Sequence, residues 1–307
     1  MLLIPPNRPI LPNVLPLEDG KFMFRGAIPS ISRDYGFHFS PVSAISQLGL
    51  IVFISGDSRV LAFSIMTSKF YISTDYGATF SLRTVPENYL YGLGISDDGQ
   101  YTTISQYQTI QCSNDGGLTW TLKYTTPYGV IHNPDSVSVS ASGQYQLVRI
   151  YGYRMARSAD YGVTWAQVTG AGSRLWVHQN MSRTGQYMYA IAYYETGYGL
   201  YRSADFGVTW ARVIPVNLSK IFLSGNGQYV FVSLSANNFY KSVDYGATFN
   251  LVSTPFSSSL SLSYTGRVQA YYNQYSNLMV SQDFGATFTD TNFNMTNSPL
   301  AINNLIS

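Results

Sequence analysis

Carboxylates are the side chains in this sequence best supplied to do chemistry: there are 16 of them, against three histidines and one cysteine. Glycoside hydrolysis runs on carboxylates alone, but it needs two of them about 5 to 10 Å apart across the scissile bond. The spacing here argues against such a pair. Seven acids, Asp34, Asp75, Asp115, Asp160, Asp205, Asp244 and Asp283, occupy one recurring box of the form Ser-x-Asp-x-Gly-x-Thr-Trp/Phe. One acid in each unit of roughly 40 residues is spread over separate units, whereas catalysis needs convergence. Those seven are therefore read as structural. Five more, Glu18, Asp19, Asp57, Asp97 and Asp98, fall in a second recurring turn, and Asp290 follows the last box. Only Glu87, Asp135 and Glu195 lie near connections that vary between units.

Other chemistries find less. His38, His132 and His178 are far apart, and with the single Cys112 they form no zinc-type spacing. There is no Ser-His-Asp arrangement and no Gly-rich phosphate loop, so neither a cofactor nor a metal is expected. Cys112, just before a box, reads as a small buried residue. A formal charge of +2 supplies no broad cationic field, which excludes nucleic acid as the expected partner. No run approaches the roughly 18 apolar residues of a membrane helix, and the proline-broken "MLLIPPNRPILPNVLPLEDG" lacks the form of a secretion leader. A cytoplasmic or virion-associated protein is the expectation. The sequons at Asn180, Asn217 and Asn294 carry little weight without a leader.

The elements that position these residues must be strands. Charged residues are only 11% of the chain while tyrosine reaches 26, a β-rich composition. The boxes begin at Ser32, Ser73, Ser113, Ser158, Ser203, Ser242 and Ser281. A quieter repeat keeps step with them, seen in "SDDGQY", "SASGQY", "SRTGQY" and "SGNGQY", with weaker copies in "SYTGRV", "SGDSRV" and "LEDGKF". From its glycine to the next box there is room for a strand, a short turn and a strand. Each unit thus reads as four antiparallel strands, with the glycine turn between the first two and the box between the last two. Alternation places both repeated turns on one face and the variable connections on the other.

Within a box, the glycine two residues after the aspartate suits a positive φ. The aspartate is expected to accept hydrogen bonds from turn amides and from the Ser and Thr hydroxyls. The closing Trp or Phe begins the fourth strand and is expected to be buried against the next unit. His38 replaces threonine in the first box, and Arg157, Arg202 and Lys241, which precede boxes, read as solvated edge charges.

On these residues the chain resembles the Asp-box (BNR) repeat group, which includes sialidases, sortilin-type receptors, some glucanases and the photosystem II assembly factors. The resemblance covers nearly all of Gly20 to Phe288. It implies an all-β, seven-bladed β-propeller of four-stranded antiparallel blades, but one fold hosts many functions. The sialidase pattern Tyr/Phe-Arg-Ile-Pro is approached by Phe24-Arg25-Gly26-Ala27-Ile28-Pro29, with two extra residues. That family's Tyr-Glu nucleophile pair has a counterpart in Tyr194 and Glu195, which here sit in a turn, and sialidases have six blades.

Closure of the ring is expected from the C-terminus. "LAINNLIS" ends like the other first strands, and Leu305-Ile306-Ser307 followed by Glu18-Asp19-Gly20 would read like "GISDDGQY". The alternative first strand, "NVLPL", carries Pro16, which suits an inner strand poorly. Residues 1–17 would then be an arm and residues 18–307 the propeller. The candidate binding face is the variable one, with Tyr89, Tyr107, Tyr128, Tyr151, Tyr153, Arg174, Trp176, Tyr194, Glu195 and Tyr275, since Tyr, Trp and Arg are favoured at interfaces. The expected function is a non-catalytic scaffold that binds a protein partner or sits in a larger assembly. A glycan-binding propeller and a sialidase-like glycosidase are the alternatives.

Overall fold

The computed structural model describes residues 20–294, apart from residues 22, 26–29, 43–48, 66–67, 87–89, 126–133, 151–153, 173, 194–196, 236, 255–259, 274 and 276. The predicted arm and the C-terminal strand lie outside the described residues.

The described chain is all β. Six four-stranded antiparallel sheets and one three-stranded sheet follow in chain order, each a simple up-and-down meander. Sheet 1 is Met23–Arg25, Ser30–Ser32 and Ser40–Pro41. Sheet 2 begins at Gly49–Ile54, sheet 3 at Gly92–Ile95, sheet 4 at Pro134–Val139, sheet 5 at Trp176–Met181, sheet 6 at Ile221–Leu223 and sheet 7 at Ser261–Leu262. This is a β-propeller with four-stranded antiparallel blades.

Burial runs from the axis outward. The first strands of neighbouring sheets touch along the middle of the molecule from sheet 2 to sheet 7. The second and third strands are covered on both faces: Met188–Ala192 is buried at every position. The fourth strands are edges, and Ser81–Thr84 has only one half-buried residue in an otherwise exposed run. Their outward residues are mixed, with Leu82, Leu122 and Leu251 exposed among polar neighbours.

Apolar residues fill the gaps between sheets. Leu147, Met155, Trp176, Met188 and Ala190 close the gap between sheets 4 and 5. Tyr189, Ile191, Leu200, Val230 and Val232 do the same between sheets 5 and 6. Met23 packs against Val268 and Leu278 of sheet 7, while Ile31 packs against Leu61 and Phe63 of sheet 2. The three-stranded sheet therefore lies between the sheets that follow it and the sheet that ends the described chain.

Between sheets 3 and 4, Ile110 and Cys112 pack against Val148, Ile150 and Ala156, and beside them Thr103 donates its hydroxyl to the Gln146 side-chain carbonyl. Cys112 is buried, as its position before a box suggests. Burial pushes its thiol pKa up, so it is not poised as a nucleophile.

Candidate functional site

The box is a closed hydrogen-bond circuit. In the copy at Ser203, the serine hydroxyl donates to Asp205 Oδ1 at 2.8 Å and accepts the Gly207 amide at 2.9 Å. The Thr209 amide donates to Oδ1 at 2.9 Å and its hydroxyl to Oδ2 at 2.5 Å. Both carboxylate oxygens are thus occupied within five residues of chain. The backbone turns on two consecutive left-handed residues, Phe206 at φ 61° and Gly207 at φ 81°, and the Val208 amide closes the turn onto the Asp205 carbonyl at 3.3 Å. That is a type I′ turn, which matches the twist of the flanking strands.

The positive φ of the glycine follows from its type; that of the preceding aromatic does not. Tyr35, Tyr76, Tyr161, Phe206, Tyr245 and Phe284 all lie near φ 60°, a region that bulky side chains avoid. Packing holds them there. Tyr161 lies 4.8 Å from Tyr101, Phe206 stacks 4.3 Å from Tyr145, Tyr245 4.8 Å from Tyr187 and Phe284 5.4 Å from Tyr229. Each partner belongs to the glycine turn of the preceding sheet. In the third box the aromatic is Gly116, and the matching residue of the preceding glycine turn is Val60 rather than tyrosine. The recurrence of "GQY" one unit before an aromatic was the signal for these pairs.

In the first box His38 takes the place of threonine: its amide donates to Asp34 Oδ1 at 2.9 Å, and its Nδ1 lies 2.5 Å from Oδ2. These bonds hold the box carboxylates below their ordinary range. The Thr248 hydroxyl leads in bringing Asp244 to about 2, and the Thr287 hydroxyl does so for Asp283. At Asp115 slight burial works upward, but bonds from Thr119 and Ser113 outweigh it, again to about 2. A carboxylate that is ionised throughout and fully engaged in its own turn is not a general acid or base near neutrality.

Two expectations about the boxes are corrected by packing. The closing aromatics lie against the preceding sheet, not the next one: Trp210 packs on the cluster between sheets 4 and 5, and Trp120 on the cluster between sheets 2 and 3. Arg157 and Arg202 are not free edge charges. Arg157 Nε donates to the Phe206 carbonyl at 2.5 Å and Arg202 Nε to the Tyr245 carbonyl at 2.7 Å, each reaching the box aromatic of the following sheet. Lys241 is half-buried, its ammonium 5.3 Å from the Phe231 ring.

Of the ten candidate binding residues on the variable face, Tyr89, Tyr128, Tyr151, Tyr153, Tyr194 and Glu195 lie outside the described residues. The other four divide. Tyr107 is 53% exposed at the tip of a tight turn, and Tyr275 is 70% exposed. The Tyr275 turn is braced by Asn273 Oδ1, which accepts the amides of Tyr275 at 2.9 Å and Asn277 at 3.0 Å. Arg174 folds back, donating Nε to the Ala171 carbonyl at 3.0 Å, with its guanidinium 5.0 Å from the Tyr201 ring.

Trp176 is not a surface residue. It is fully buried, edge-on to Tyr201 at 5.3 Å, because its strand is the innermost of sheet 5 and this side chain faces sheet 4. Two residues of the same rim were passed over: Tyr91 and Tyr198 are exposed, and the guanidinium of Arg212, on the fourth strand of sheet 5, lies 5.2 Å from the Tyr198 ring. "NYLYG" and "TGYG" carried the signal, since they lie in the same variable connections as the residues singled out.

Among the described residues, no three of His, Cys, Asp and Glu come together to hold a metal ion. His178 stands alone, its imidazole brought down to about 4 by burial first and then by Arg149 and Lys220. Among the described residues, no helix is long and apolar enough to cross a membrane.

No family model matches the chain, and no curated protein matches it. Solved structures agree on the fold. A structure described as YCF48 bound to D1 peptide superposes with a TM-score of 0.59 at 15% identity, over 80% of this chain and 84% of that one. YCF48 from Cyanidioschyzon merolae gives a TM-score of 0.56 at 13% identity, covering 79% and 84%. The Cps50 (Swd1) β-propeller domain of Myceliophteria thermophila gives 0.55 at 10% identity, covering 80% and 86%. An ancestral GH74 enzyme gives 0.54 at 13% identity, but the match spans only 38% of that chain. At these identities the likeness is one of fold.

Proposed function

We propose that this protein is a non-catalytic Asp-box propeller of seven blades that docks a protein partner on its variable rim. The observation carrying this reading is the division of labour between the faces. The box carboxylates are bound up in their own turns, while Tyr107 and Tyr275 stand exposed on short turns of the opposite rim. Short braced turns present aromatic side chains with little ordering left to do on binding. The YCF48 structure bound to a peptide supports a propeller of this shape serving as a docking ring.

Seven blades require the three-stranded sheet to gain a strand. We assign it to residues 300–307, because Met23–Arg25 has no inner neighbour among the described residues while each other sheet has four strands. The junction from Ile306 and Ser307 to Glu18, Asp19 and Gly20 then repeats the turn sequence of the other blades.

The test is affinity capture from the source cells with the wild-type chain and with Tyr107→Ala/Tyr275→Ala. A specific partner held by the first and lost by the second is expected. Equal capture by both would remove the variable rim from the assignment. Exposed tyrosine rings also stack on sugars, so a glycan array is the companion measurement, and a flat array leaves protein docking ahead. Turnover of chromogenic sialosides or β-glycosides that disappears in Glu195→Gln would overturn the non-catalytic reading.

A further inference from the structure

The residue after the serine of each glycine turn is Gly56, Asp97, Ala141, Arg183, Gly225 and Tyr264 in sheets 2 to 7 respectively. Their backbones form a hoop. The Asp97 amide donates to the Ala141 carbonyl at 2.9 Å, Ala141 to Arg183 at 2.6 Å, Arg183 to Gly225 at 2.7 Å and Gly225 to Ser263 at 3.3 Å. Neighbouring turns are thus tied together around the axis on the box face.

Inside the hoop, Arg183 of sheet 5 makes an ion pair with Asp97 of sheet 3. Its guanidinium also lies 5.2 Å from the ring of Phe53, in the first strand of sheet 2. Asp97 Oδ1 in turn accepts the amide of Gly56, also in sheet 2, at 3.1 Å. Sheets 2 and 5 are three places apart in the ring, so a side chain that joins them has to cross the axis. The space around Gly56 confirms the crowding: a Cβ there would lie 3.3 Å from Asp97 Oδ2, 3.8 Å from Arg183 Nε and 3.8 Å from Tyr264 Cδ2. Side chains from sheets 3, 5 and 7 therefore meet at one point on sheet 2.

We propose that Arg183 and Asp97 are an axial plug, which seals the ring axis at the box face. The plug stands independently of which partner docks. An ion pair suits the position, since both ends of the crossing are polar backbone turns and both side chains are mostly buried, at 17% and 25% exposed. Glycine at positions 56 and 225 leaves the volume that the arginine occupies; a Cβ at Gly225 would lie 3.1 Å from Arg183 Cγ.

Solvent paramagnetic relaxation with a neutral gadolinium chelate reads the plug directly, on the amides of Asp97, Ala141, Arg183 and Gly225. In the wild type these amides are expected to be shielded. Arg183→Ala should raise their relaxation well above the wild-type level, while the box amides of Thr164 and Thr209 stay unchanged. Asp97→Asn, which keeps the volume and removes the charge, should give an intermediate rise, and it serves as the readout if Arg183→Ala does not fold. Unchanged relaxation in a folded variant overturns the proposal. So does a uniform rise over all turns, which would mark Arg183 as a general support of the ring rather than a plug.

Discussion

At the scale of the residue, the box aspartate is a fastener, and its acid chemistry shows this. Unfolded, the carboxyls of Asp115, Asp244 and Asp283 titrate near 3.8; folded, they titrate at about 2. A depressed folded pKa means that the ionised form favours the native state, so the contribution is complete above pH 4 and is lost as the pH falls towards 2. Urea midpoints should therefore be level from pH 7 to 5 and drop steeply between pH 4 and 2. Replacing Asp115, Asp244 and Asp283 with asparagine should lower the neutral-pH midpoint and flatten that drop. A wild-type midpoint indifferent to pH over this interval would contradict the role. The role was legible in the sequence because every bond of the circuit lies within the box. The φ of Phe206 was not, because its ring is held by Tyr145 of the preceding blade.

At the scale of the element, blades are joined by side chains that leave one unit and end on the next. Arg157 ends on the Phe206 carbonyl and Arg202 on that of Tyr245, which also accepts the Tyr189 hydroxyl at 2.7 Å. Arg157→Ala is expected to destabilise the protein by about 1 kcal/mol, the usual worth of such a bond. Arg202→Ala and Tyr189→Phe together should cost more than the sum of the two singles, since either donor serves the same oxygen. Equilibrium urea unfolding of the singles and the double gives the coupling, and strict additivity would show that the shared carbonyl is not what they stabilise. Gly207→Ala is a harsher change. It places a side chain at φ 81°, with its Cβ 2.8 Å from Met188 Sδ, and a loss of about 1 to 3 kcal/mol is expected from the backbone conformation alone. The strands themselves were legible, but not the direction in which the closing aromatics pack. Alternation tells that a residue is buried without telling against which neighbour.

At the scale of the whole molecule, the ring depends on its seam. Met23 against Val268 and Leu278 is the described part of it. If residues 300–307 complete the three-stranded sheet, their deletion should lower the thermal midpoint by about 10 °C and broaden the transition, as expected when several kcal/mol are lost from a domain of this size. Calorimetry of the truncated chain decides, and an unchanged transition would place the closing strand elsewhere. The sequence by itself determined the unit, its period and the chemistry of its turns, because those interactions close within a few residues and are repeated in each blade. Only the tertiary structure decided that Trp176 is core rather than rim, that Arg157 and Arg202 are latches rather than solvated charges, and that Arg183 crosses the axis to Asp97. Each of those depends on a partner in another blade, brought near by the curvature of the ring and by nothing in the local sequence.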